Sequence, residues 1–197
     1  MKLTIRNFTI SDFAAVATWA VVFAIAMVVL NNASPSIKQH SAVIIFGFIA
    51  YAVFMLAALK EGLLTSNPTI RRVFFFLQLT SAFLIMWHLP ISFLPILTVL
   101  WVAISPNFFS WRQSIFIMVG VVVTWFSVYS LHWNIDGVYF EAILYSTFHF
   151  FALLMSYQTK LAENATAEAQ RLNKELQATQ HLLSEASRQN EIGRAHV

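Results

Sequence analysis

The sequence predicts an all-α membrane protein: a six-helix transmembrane bundle followed by a cytoplasmic helix that pairs as a parallel coiled coil. Three observations carry this. Hydrophobic residues make up 58% of the chain and charged residues only 11%, with 19 Phe and 6 Trp, too apolar for a soluble domain of 197 residues, so the solvent for most of it is lipid. Charges are sparse over residues 1–157 and dense over 158–197, which sets a boundary near Tyr157. Beyond that boundary small and apolar residues recur in alternating steps of three and four.

The first apolar run, Phe13 to Leu30, follows Lys2 and Arg6. It is longer than the core of a signal peptide and no small-x-small cleavage site follows it, so it reads as an uncleaved first span. Ala42 to Leu59 forms the second. A span needs roughly 20 apolar residues, and Val73 to Ile104 is too long for one, since a single helix would reach about 50 Å at a rise of about 1.5 Å per residue. Pro90 and Pro95 interrupt it; each removes a backbone donor and disfavours helix in the residue before it, so a tight reversal between two short spans is expected. The segment Thr65 to Thr69, "TSNPT", reads as the polar turn ahead of that region. Ser114 to Leu131 and Val138 to Tyr157 complete the six.

Loop charge supplies the orientation. With six spans, Lys2, Arg6, Lys60, Arg71, Arg72 and Arg112 gather on the inner side and Lys38 stands alone outside, whereas five spans would place Arg112 and the charged tail outside. Both termini are therefore expected in the cytoplasm, with a bacterial inner membrane as the location.

The absence of cysteine excludes disulfides, thiolate zinc sites and iron-sulfur clusters. A formal net charge of +3, spread over loops, is topology information and no nucleic-acid surface. No phosphate-binding glycine loop, HExxH, GxSxG or paired intramembrane carboxylate is present, so no catalytic residue is assigned, and no bound cofactor or metal. The remaining candidates are sensing residues. His40, His88, His132, Asp136 and Glu141 all fall near the outer face, where they form either a ligand, metal or proton site or an interfacial belt with Trp87 and Trp133. Glu141, Tyr145 and His149 recur at steps of four along the sixth span. His149, deep in the apolar region, is expected to face the bundle interior and meet Gln78, Thr80 or Ser81 of the third span or Thr124 of the fifth, as structural glue or as part of a sensing path.

In the tail, Ala162, Ala165, Ala169, Leu172, Leu176, Thr179, Leu183, Ala186 and Asn190 form a heptad seam, with charges off the seam and no Gly or Pro between Tyr157 and Glu191. The alternatives are a dimeric coiled coil and a lone amphipathic helix lying on a surface. Alanine, Thr179 and Asn190 make the seam weak, and a marginal coil is one that modest forces can switch.

The run "AEAQRLNKELQATQHLLSEASRQNE", Ala167 to Glu191, resembles the linker that precedes the phosphoacceptor box in DesK-like sensor histidine kinases, whose partners are NarL-type response regulators. That resemblance implies a homodimer and, beyond the linker, a phosphoacceptor histidine and an ATP-binding domain using ATP and Mg. None of those catalytic residues lies in this chain. Glu191 matches the opening of the box, but Ile192 stands where Arg is expected, and His196 has neither the following Asp nor a kinase domain to serve it. The ending Ile192 to Val197 is one translation of a common sequencing adapter and is expected to be non-native. The expected organisation is a sensor over 1–157, a signalling coil over 158–191 and that ending over 192–197. Other readings are a free-standing six-span carrier or binding protein with a dimerising tail, and a sensor coupled to a different output. Bilayer thickness, a lipophilic ligand, a metal and pH are all compatible stimuli.

Overall fold

The computed structural model describes residues 10–59, 67–135 and 137–195, with side chains described over 12–59, 67–135 and 137–185. Lys2, Arg6, Lys60, Asp136 and His196 lie outside the described residues, as do the side chains of Ala186, Asn190, Glu191 and Ile192. Among the described residues every regular element is helical: α1 (Ile10–Asn31), α2 (Pro35–Lys38), α3 (Ser41–Leu59), α4 (Pro68–His88), α5 (Ile96–Ile104) with a 3-10 turn (Ser105–Asn107), α6 (Trp111–Ser127) with a π-helical turn (Val128–His132), and α7 (Val138–Ala195). The chain divides into two compact units, Met1–Ser156 and Tyr157–Val197.

Five of the helices are long and apolar enough to cross a membrane. Their outward faces carry Phe46, Phe76, Phe116, Val123, Phe140 and Phe151, all exposed. Such surface is an aggregation liability in water and ordinary contact area in lipid, consistent with a membrane protein.

The broken region departs from the expected pair of short spans. Asn67 and Pro68 do more than turn the chain: the Asn67 side chain accepts from the Thr69 N–H at 2.9 Å and Pro68 occupies the first turn. This N-cap with a following proline starts α4 five residues before the apolar run, so α4 is a full 21-residue helix. Pro90 and Pro95 then bound the break as expected, and the remainder is the short apolar helix Ile96–Asn107. At about 1.5 Å per residue it reaches roughly 18 Å, short of a hydrocarbon core of about 30 Å.

What holds this short helix is polar as well as apolar. The Tyr51 hydroxyl of α3 donates to the Leu97 carbonyl at 2.6 Å, the Trp101 indole donates to the Phe75 carbonyl of α4, and the Tyr129 hydroxyl donates to the Ile91 carbonyl at 2.6 Å. Of the three acceptors the Ile91 carbonyl lies in irregular backbone, which in an apolar medium has to find its partners inside the protein, and buried Leu89, Leu94 and Pro95 show that this stretch is inside. Trp101 also stacks on Phe75 at 4.1 Å. Beyond the 3-10 turn, Phe108 lies against Phe75 and 5.6 Å from the Arg71 guanidinium, beside the start of α4, whereas Ile91 lies beside the end of α6.

The core centres on α3 and α4, where Ile44, Phe48, Tyr51 and Met55 meet Phe75, Ala82, Ile85 and Met86. Gly47 lets the two approach: a Cβ there would stand 2.8 Å from Ile85 Cγ1. Small residues serve this purpose between helices that have no hydrophobic effect to press them together. In the first unit α7 buries a narrow stripe of Val138, Tyr145, His149 and Leu153.

Candidate functional site

His40, His88 and His132 come from three separate connections, and the fold brings them to one end of the bundle. Pro35 starts the one-turn helix α2, which delivers Gln39 and His40 at the head of α3. His88 closes α4 just before Leu89 turns extended. His132 lies in the π-helical turn, whose wider winding is closed by the Trp133 N–H to the Val128 carbonyl at 3.2 Å. Asn134 at φ 50° and Gly137 at φ 81° then take left-handed conformations to turn the chain into α7, conformations that Asn and Gly adopt most readily.

The rings of His40 and His88 are 4.7 Å apart between centroids, tilted by 34°. Trp87 stacks on His132 at 3.8 Å and 15°, and His132 Nε2 is 3.2 Å from the Trp87 carbonyl. The Trp133 indole donates to the Met86 carbonyl at 3.0 Å, and Gln39 Nε2 is 3.2 Å from His40 Nε2. Together with Ser36 and Ile37 these groups line a cavity of about 440 Å³. The three imidazoles thus share one cavity, with both tryptophans in its wall, so the ligand-site and belt alternatives coincide in one place.

Its geometry is unlike a metal centre. Among the described residues no group of three His, Cys, Asp or Glu is arranged to hold a metal ion. His40 and His88 present ring faces to each other and His132 is taken up by Trp87, whereas a metal needs ring lone pairs aimed at one point. Glu141 is not in the cavity wall; it is part-buried on α7, with Oε2 buried and without a hydrogen-bond partner. Asp136 is outside the described residues.

His149 is fully buried, as its place in the sixth apolar segment predicts, but its partner is none of those expected. Thr80, Ser81 and Thr124 each donate back to the carbonyl four residues earlier in their own helices, and Gln78 lies beside Tyr51. The partner is Thr98 of α5, with Oγ1 2.9 Å from His149 Nε2. His149 Nδ1 faces the Tyr145 carbonyl, which only accepts, so Nδ1 carries the proton and Nε2 is left to accept from Thr98. The Pro95 carbonyl, 2.6 Å from the same hydroxyl, competes for its single hydrogen. A threonine inside an apolar run was the one sequence signal for this contact. Trp125 adds an edge-to-face contact with Tyr145 at 5.7 Å.

In the second unit, Leu172, Leu176 and Leu183 of the seam are exposed on the helix, as is Leu182 beside it. Arg171 bridges Glu175 at 3.1 Å and Glu168 at 3.9 Å on the same helix, and His181 lies 3.8 Å from Glu185. Thr179 turns its hydroxyl back to the Glu175 carbonyl, so its methyl group is available to the seam.

Comparison with protein-family models, with curated proteins and with solved structures finds no match to this chain.

Proposed function

We propose that the chain is the sensor and signalling-helix module of a bacterial membrane histidine kinase of the DesK-like type. It lies in the inner membrane with both termini cytoplasmic, and it pairs with a second copy through the seam Leu172, Leu176, Thr179, Leu183 and Ala186. The observation that carries this reading is α7 itself. One helix, Val138–Ala195, begins with a buried stripe through Tyr145, His149 and Leu153 and ends in a heptad seam of exposed leucines.

A stimulus that favours one packing of the bundle shifts or rotates α7, and with it the seam. In the assembled kinase that shift sets ATP- and Mg-dependent phosphorylation of a histidine and transfer to a response regulator. The chain re-crosses the membrane at the short helix Ile96–Asn107, making six crossings. Supporting this are the contacts at its two ends, Ile91 with Tyr129 and Phe108 with Arg71, which run it antiparallel along α4.

The test joins residues 1–191 to the phosphoacceptor and ATP-binding domains of a DesK-like kinase and follows autophosphorylation in vesicles while bilayer thickness, dissolved amphiphiles, pH and divalent metals are varied. A rate that responds severalfold to one of them, and loses the response when Leu176 and Leu183 are changed to Asp, is expected. A rate indifferent to every stimulus and to the seam variants overturns the reading.

A further inference from the structure

We propose that His40 and His88 form an acid-released latch between the α2–α3 corner and the end of α4. The two rings lie 4.7 Å apart between centroids, and the neighbour of His40 sets its protonation. Gln39 Nε2, which only donates, is 3.2 Å from His40 Nε2, so that ring nitrogen accepts and carries no proton. The closed contact is therefore one made by neutral His40.

A proton arriving at His40 Nε2 acts twice against the contact. It sets an N–H against the Gln39 amide donor, and it places a positive charge beside a second imidazole, a side chain whose free form titrates at about pH 6.5. Nothing in the wall offsets that charge. The titratable neighbours are all bases, namely Lys38 on α2, His88 on α4 and His132 on the π-helical turn, and no acidic side chain lines the cavity among the described residues. His132 answers acid differently. Its Nε2 faces the Trp87 carbonyl, which only accepts, so that nitrogen holds a proton whether the ring is neutral or charged. The ring also lies flat on Trp87 at 3.8 Å, where a cation is attracted by the negative face of the indole. Acid thus frees the α2–α3 corner from α4, while the π-helical turn, held as well by Trp133 on the Met86 carbonyl, stays in place.

The latch rests on the sensor reading for its use, naming external acid as the stimulus, but its chemistry needs no kinase domain. The experiment places bimane, a fluorophore that tryptophan quenches on contact, at Ser36→Cys, in the cavity wall with Trp87 and Trp133; the chain has no other cysteine. The labelled 197-residue chain in phosphatidylcholine nanodiscs is taken from about pH 7.5 to about pH 5, across the imidazole range. The label should be quenched near neutrality relative to a Trp87→Phe, Trp133→Phe control, and should brighten severalfold and reversibly in acid. The variant His40→Gln, His88→Gln, checked for folding by circular dichroism, should stay quenched throughout; if it misfolds, His40→Gln alone carries the same test. A label indifferent to pH or to the two tryptophans, one quenched further by acid, or equal brightening in a folded glutamine variant each overturns the latch. Such a result leaves the sensor reading standing, whereas a chimeric kinase indifferent to every stimulus removes the sensor reading and leaves the latch.

Discussion

At the scale of single residues, two positions decide how the bundle closes. Gly47 stands where any Cβ meets Ile85, and Gly47→Leu is expected to cost about 1–3 kcal/mol through overpacking. Thermal unfolding in nanodiscs measures this, and Ile85→Ala in the same chain should recover part of the loss; independent, additive losses would mean the two side chains do not meet. Thr98 is the one side-chain hydrogen-bond partner of His149 in the described structure, so Thr98→Val leaves a buried Nε2 without a donor. The expected cost is about 1 kcal/mol, the usual size of such a bond between helices in a membrane, and Thr98→Ser should restore it. Neither effect was legible in the sequence. A glycine in an apolar helix and a threonine in an apolar run are both common, and only the facing residue gives them meaning.

Elements divide into those whose ends are written locally and those whose ends are not. Helix α4 is of the first kind, because Asn67 and Pro68 form a start signal that a search for apolar runs overlooks. So is α6, where the Ser110 backbone N–H donates to Gln113 Oε1 at 3.0 Å in a capping-box arrangement. The short helix α5 is of the second kind. Its prolines announce a break, but its length and path depend on Tyr51 and Tyr129 supplying donors from two other elements and on its own Trp101 donating to the Phe75 carbonyl of α4. Replacing Tyr51 by Phe should destabilise the fold by about 1 kcal/mol by removing a buried hydrogen bond to the Leu97 carbonyl, measured against wild type by thermal unfolding. For α7 the prediction is association. The chain lacks cysteine, so single cysteines report cleanly. Leu183→Cys should cross-link between copies in membranes far faster than the off-seam Glu185→Cys, and equal rates would remove the parallel seam.

The whole molecule poses a question of topology. Among the described residues five helices have the length to cross and a sixth apolar helix does not, yet the loop charges favour an even count. Lys38→Cys should react with a membrane-impermeant maleimide applied outside intact cells, and Arg112→Cys only after permeabilisation. Arg112→Cys labelled from outside would mean that Ile96–Asn107 does not carry the chain across. The same three-dimensional closure gathers His40, His88 and His132 into one cavity, although 92 residues separate the first from the last. Span counting leads only to the expectation of a shared face; their contact does not follow from it, because it depends on how α2, α4 and the π-helical turn pack.

Composition and periodicity by themselves determined the all-helical class, the apolar runs fit for a membrane, the break at Pro90 and Pro95, and the heptad pattern of the tail. These are properties of each segment against its solvent, and local spacing is enough to express them. Tertiary structure decided the length of the broken segment, the Thr98 partner of His149 and the meeting of the histidines. Each of those is a relation between surfaces far apart in the chain, set by which helix faces fit together and which buried polar groups find each other.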